Sequence, residues 1–355
     1  MDSDTTDPSY WLNWRFFFCA MEILCSIALA SILIWKYEGS EQDGGEVEEA
    51  QNGKMGAFHK DEIWTPCLKT IHPAWLLVFR AVTFFLCVVL LVVDIVVKGA
   101  SQLYYYTQWT FFLVTVYFGL GSLLSTYGCL QYAKMTDDRI DYLLLDPEGG
   151  ISVSPANSEI VNGTLTVKNP GLHENLNIQK IVNLGGYLFQ IIYQTNAGAV
   201  MLTDFVFWLI IFPFLTLKDY DLSFLQIGMH SLNAVFLIGD TALNSMLFPW
   251  FRIAYFMLWT SIYVIFQWII HACGPTHFLT CHQVIPQSGI LFLPRKLCTL
   301  IDFQIYAAEC ILPNSSLYLA VTALHAPCYA VFPLIIKLKH YLLIKWFPRS
   351  YYLIN

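Results

Sequence analysis

Long apolar runs separated by shorter polar ones set the rhythm of this chain. A membrane-spanning helix needs about 20 mostly apolar residues. Runs of that kind fall near residues 12–35, 73–97, 106–132, 198–217, 224–246, 251–273 and 316–343. They predict an all-α, polytopic integral membrane helical bundle of about seven spans, with six as the alternative count. A further apolar stretch, 178–195, contains GGYLFQIIYQT and predicts an interfacial or re-entrant helix before the fourth span.

The polar segments divide the chain into a tail (1–11), a bundle of spans one to six (12–273), an atypical loop (274–314), a last span (315–345) and a C-terminal tail (346–355). Inside the bundle, two polar loops cover 36–72 and 133–180. Residues 38–62, EGSEQDGGEVEEAQNGKMGAFHKDE, are acidic and Gly-rich, a composition that predicts disorder. The first span follows Asp2, Asp4 and Asp7 with no basic n-region, so it reads as an anchor and not as a cleaved signal. Lys and Arg concentrate on the side that faces the cytoplasm. With the N-terminus outside, thirteen basic residues fall inside and five outside. The C-terminus is then cytosolic, in an endomembrane or the plasma membrane, and the Asn162-Gly-Thr sequon lies where glycosylation does not reach.

Composition agrees with the pattern. Of 355 residues 56% are hydrophobic and 13% charged, against about 25% charged in soluble domains. Net charge is −7, which gives no basic surface for nucleic acid. The cysteines fall mostly in apolar runs, without a CxxC pair. His230, His271 and His325 are solitary and no H-x-x-x-H occurs, so neither a metal nor a cofactor is expected. TDDRIDY after the third run is similar to the D-R-Y of seven-helix receptors, but no N-P-x-x-Y follows in the last span.

One apolar run carries chemistry that hydrocarbon penalises. In GMHSLNAVFLIGDTALN (228–244), His230, Asn233, Asp240 and Asn244 fall within ~80° of one another on a helix. Intramembrane ionisable groups face the bundle interior or a pathway, so this stripe points inward. Asp204, one short turn earlier, is a candidate partner on an antiparallel neighbour, and Arg80, Asp94, Glu22, His271 and His325 are further ones. Thr107 opens the third run on the same side as His230, which lies ~10 Å deeper. The stripe can equally be glue between helices, since interhelical hydrogen bonds contribute about 0.6–2 kcal/mol. Gly119, Gly121 and Ser125 supply a small-residue face for close packing.

Four stretches carry a resemblance: YYTQWTFFLVTVYFG (105–119), GYLFQIIYQTNAGAVMLTDFVFWLIIFPFL (186–215), MHSLNAVFLIGDTALN with FPWFRIAYFMLW (229–259), and LHAPCYAVFPLIIKLKHYLL (324–343). On these the chain resembles the plant multi-pass family related to rolling stone. More distantly it is similar to the androgen-induced and androgen-dependent membrane hydrolases. In those hydrolases a threonine nucleophile and a histidine act on fatty acid esters, and the resemblance places these roles on Thr107 and His230. It implies a lipid-ester substrate and the bilayer as partner, with no cofactor and no stated oligomer. The alternative is a non-catalytic membrane protein, for transport, signalling or structure, built around the polar stripe. Residues 274–314 depart from the family, which has only a short segment before its last helix. They read as the product of a variant exon or a retained intron, a hypothesis that finding only this transcript form would contradict.

Overall fold

The computed structural model describes residues 12, 14–39, 63–68, 70–145, 170–213, 224–273, 315–348 and 350. The expectations for the tail 1–11, for 40–62, for the sequon and for 274–314 lie outside the described residues. The described elements are α1 (Trp14–Tyr37), α2 (Pro73–Lys98), α3 (Tyr106–Leu145), α4 (Pro170–Phe205), α5 (Phe224–Met229), α6 (Leu232–Leu243), α7 (Ile253–Cys273) and α8 (Ser315–Trp346). A π-helical segment, Val206–Ile211, continues α4, and no strand occurs among the described residues. Among the described residues five helices are long and apolar enough to cross a membrane: Phe16–Tyr37, Pro73–Lys98, Tyr106–Asp137, Trp250–Ile270 and Val321–Trp346. The chain is a multi-pass membrane protein.

Burial on α2 is the reverse of a soluble helix. Its buried side holds Arg80, Thr83, Cys87 and Asp94, while Val78, Val82, Phe85, Val89, Val92 and Val96 are exposed. In water such an apolar face would drive association; in lipid it is the contact with solvent. Local sequence fixes the ends of this helix. His72 Nδ1 accepts from Ala74 N at 3.1 Å, Pro73 occupies the first turn where its missing N–H costs nothing, and Gly99 ends the helix at φ 88°.

The helices run antiparallel between two ends, here the Glu38 end and the Lys98 end. At the Glu38 end Arg252 Nε donates to Glu38 at 2.8 Å, Tyr187 and Tyr255 donate to the same carboxylate, and Tyr37 stacks on Phe251. At the Lys98 end Gln108 Nε2 donates to Asp94 at 2.5 Å, and Tyr263 OH and Gln267 donate to the Tyr104 carbonyl. Helix α4 reaches from Tyr187 at one end to Asp204 at the other, and α5 with α6 returns from Met229 to Asn244. Close packing needs small residues: a Cβ on Gly121 would come within 2.9 Å of the Phe189 ring.

Three sequence expectations change. The stretch 178–195 is no separate interfacial helix but the body of α4, which runs unbroken from Pro170 to Phe205. Its two glycines do not bend it, because packing against α3 outweighs their helix cost of about 1 kcal/mol each; Leu124 sits 3.6 Å from where a Gly185 Cβ would be. Residues 133–145 and 170–180, read as loop, are helical ends of α3 and α4. The run 224–246 is not one helix. It breaks at His230 and Ser231, and beyond Leu243 the chain is extended, with Cys67 N donating to Leu243 O at 2.9 Å.

Candidate functional site

All four stripe residues point inward, as their spacing predicts: His230 and Asn233, and farther along Asp240 and Asn244, are buried. They do not form one network. The break at His230 and the length of α6 separate them into two clusters of opposite character.

The cluster at the Glu38 end is saturated. Arg80, fully buried on α2, donates from Nε to Asp240 Oδ1 at 2.7 Å and from Nη2 to Oδ2 at 3.2 Å. Its Nη1 donates to Ile63 O and to Ser125 Oγ, both at 2.8 Å. Asp240 also accepts from Tyr117 OH at 2.5 Å and from Asn244 Nδ2 at 2.9 Å. A two-pronged guanidinium–carboxylate pair with its remaining lone pairs filled is the arrangement that makes a buried ion pair tolerable. Lys339 Nζ, from α8, donates to the carbonyls of Thr241 and Asn244, the C-terminal oxygens that α6 cannot satisfy itself.

The cluster at the Lys98 end is not saturated. Asp204 precedes the π segment, and its Oδ1 accepts from Asn233 Nδ2 at 3.2 Å. Its Oδ2 has no hydrogen-bond partner. His230 Nδ1 stands 3.9 Å from Asp204 Oδ1, too far for a hydrogen bond, and has no other partner. The imidazole is held by stacking on Phe207, with centroids 3.8 Å apart and planes 3° off parallel. Trp208 Nε1 donates to the His230 carbonyl at 2.8 Å, which satisfies the backbone freed by the helix break.

Helix α3 closes this cluster. Gln108 Nε2 donates to Asp94 and lies 3.5 Å from Met229 Sδ, the residue before His230, while Lys98 pairs with Asp94 at 2.7 Å. This contact brings the first turns of α3 to the His230 break. Thr107 is buried in the first turn of α3. Thr110, one turn along, is fully buried, and its Oγ1 is near the Tyr106 hydroxyl but outside hydrogen-bonding geometry. Helix-buried threonines ordinarily bond the carbonyl four residues back, as Thr115, Thr195 and Thr203 do.

The structure therefore joins Asp204 with Asn233 and sets His230 beside them, and it joins Asp240 with Asn244 around Arg80. Thr110 and Gln108 were not singled out by sequence. A hydroxyl in an apolar run carries no signal of its own, and only its missing partner distinguishes Thr110. Among the described residues no three His, Cys, Asp or Glu side chains converge where a metal ion could sit. No protein-family model matches the chain, and neither curated proteins nor solved structures match it.

Proposed function

We propose that this seven-span protein, N-terminus outside and C-terminus cytosolic, is a hydrolase of lipid esters, with its site at the Lys98 end. His230 acts as general base, Asp204 orients it, and a threonine on the first turns of α3 is the nucleophile. A weak hydroxyl nucleophile needs an adjacent base, and that base needs a group to hold it. One observation carries the reading. A buried imidazole with an unbonded Nδ1 faces an under-partnered carboxylate at 3.9 Å, at a break in the helix that carries it. Buried polar groups are almost always paired, so atoms left open here suit a substrate or a water. The resemblance to membrane hydrolases favours Thr107 as nucleophile; Thr110, one turn along, lies beside the Tyr106 hydroxyl.

A second reading is favoured by the backbone. A π segment beside Asp204 and a broken helix at His230 are features that recur where ions or polar solutes bind within membranes. Under it the chain is a non-catalytic membrane protein, and Asp204 and Asp94 matter more than any threonine. Ester turnover by purified protein in nanodiscs separates the two. Hydrolysis of a fatty acyl ester should fall about 100-fold or more in His230→Ala, and in one of Thr107→Ala and Thr110→Ala. Turnover unchanged in all three would remove the hydrolase reading. Proton-coupled flux lost in Asp204→Asn, with no ester turnover in the wild type, would establish the second.

A further inference from the structure

Neither polar cluster absorbs Glu22, a carboxylate placed inside the first span. At 1.5 Å per residue it lies about 9 Å from Phe16 and about 22 Å from Tyr37, the two ends of that span. This depth is within the hydrocarbon, which is about 30 Å thick. Asp94, Asp204 and Asp240 are buried between helices, whereas Glu22 is half-buried, on the lipid side of the seam between α1 and α8. Its hydrogen-bond partner among the described residues is Thr322 of α8, an exposed side chain whose Oγ1 donates to Oε1 at 2.6 Å. No Lys, Arg or His among the described residues pairs with it. A charge in a bilayer is kept by a partner or by a use. Thr322 supplies one donor and no charge, which leaves Oε2 for a group from outside the chain.

The surface around Glu22 has the form of one side of a helix contact. On α1 the buried apolar residues are Cys19, Ile23 and Ala30, and the first two pack with Val264 of α7. The opposite face stays exposed, with Phe18, Met21, Cys25, Ala28 and Ile32 repeating at spacings of three and four. That is the spacing of a helix-on-helix seam, and Glu22 flanks it, where charged residues select the partner. On α8, Thr322, Ala326 and Ala330 are exposed one turn apart, so another helix can come close beside the carboxylate. Charge, and not apolar surface, decides what fits here. Apolar side chains are satisfied by lipid tails, but a carboxylate among them needs a cation at the same depth. A second copy of the chain offers none among the described residues. Arg80 is buried, Lys98 pairs with Asp94, and Lys337, exposed on α8, lies about 22 Å along that helix from Thr322.

We infer that the face of α1 and α8 around Glu22 docks a transmembrane helix of another protein, recognised by a Lys or Arg side chain at the depth of Glu22. The ammonium or guanidinium donates to Oε2 while Thr322 holds Oε1, and the apolar residues on both helices exclude lipid from the pair. The inference stands apart from the His230 reading, because no residue is shared between the two sites.

The test measures fluorescence energy transfer in nanodiscs between the full chain and synthetic transmembrane peptides of leucine and alanine. One peptide carries a single Lys at the depth of Glu22, and the other carries Leu in its place. The expected result is about 10-fold tighter association of the Lys peptide with the wild type, and no preference with Glu22→Leu. Equal association of the two peptides with the wild type overturns the inference, and that comparison needs no variant to fold. A preference for Lys that survives in Glu22→Leu overturns the role given to the carboxylate. Energy transfer between differently labelled copies of the chain, lost in Glu22→Leu, makes the occupant a second copy and overturns it too. None of these outcomes touches the ester-turnover reading, which rests on other residues.

Discussion

Asp240 and Asp204 are both buried carboxylates, at opposite ends of the bundle, and they keep different company. Asp240 accepts from Arg80 twice, from Tyr117 and from Asn244. Asp204 accepts from Asn233 on one oxygen and leaves the other unbonded, beside a histidine that stays 3.9 Å away. The surrounding backbone differs in the same sense. Arg80 and Tyr117 lie within the long helices α2 and α3, whereas the Asp204 cluster adjoins a π segment and a helix break. A charge in hydrocarbon is kept either because it is fully paired or because something uses it. The first cluster fits the former case, and the second fits the latter.

Breaking the saturated cluster should give the largest effect. Asp240→Ala leaves Arg80 buried without its counter-ion and is expected to cost about 3–5 kcal/mol. The double variant Arg80→Met with Asp240→Leu should recover much of that loss, since apolar residues can replace a buried pair with little penalty. Unfolding in detergent followed by tryptophan fluorescence checks both. Next is Gly198→Ala: the new Cβ would lie 2.3 Å from the Phe256 ring, and overpacking there is expected to cost about 1–3 kcal/mol by the same assay. Tyr193→Phe removes a 2.8 Å bond to Thr241 and should cost about 1 kcal/mol. The smallest stability effect belongs to Asp204→Asn, expected within about 1 kcal/mol of wild type because only one interhelical bond is at stake.

The members of both clusters were partly legible in the sequence. The inward stripe and the proximity of Asp204 followed from helical spacing and from a short connecting turn, and Arg80 stood out as a cation inside an apolar run. The split of the stripe into two clusters was not legible. It depends on the break at His230, for which GMHSLN offers no proline, only Gly228 and the N-cap residue Ser231 inside an apolar run. The break is stabilised from outside the segment, by Trp208 bonding the His230 carbonyl and by Phe207 under the ring. The merging of 178–195 into α4 was hidden for a related reason: Gly185 and Gly186 read as an interruption until the packing of α3 is known. Glu22 and Thr322 lie far apart in sequence and meet only through the packing of α1 and α8.

The most direct test compares the two ends under one condition. Thermal unfolding of His230→Ala, Asp204→Asn and Asp240→Asn would be measured in the same nanodiscs beside the wild type. The account predicts that the first two melt within a few degrees of wild type and that Asp240→Asn melts far lower. Equal loss of stability in all three would mean that the Asp204–His230 cluster is structural glue like its counterpart, and would contradict the account.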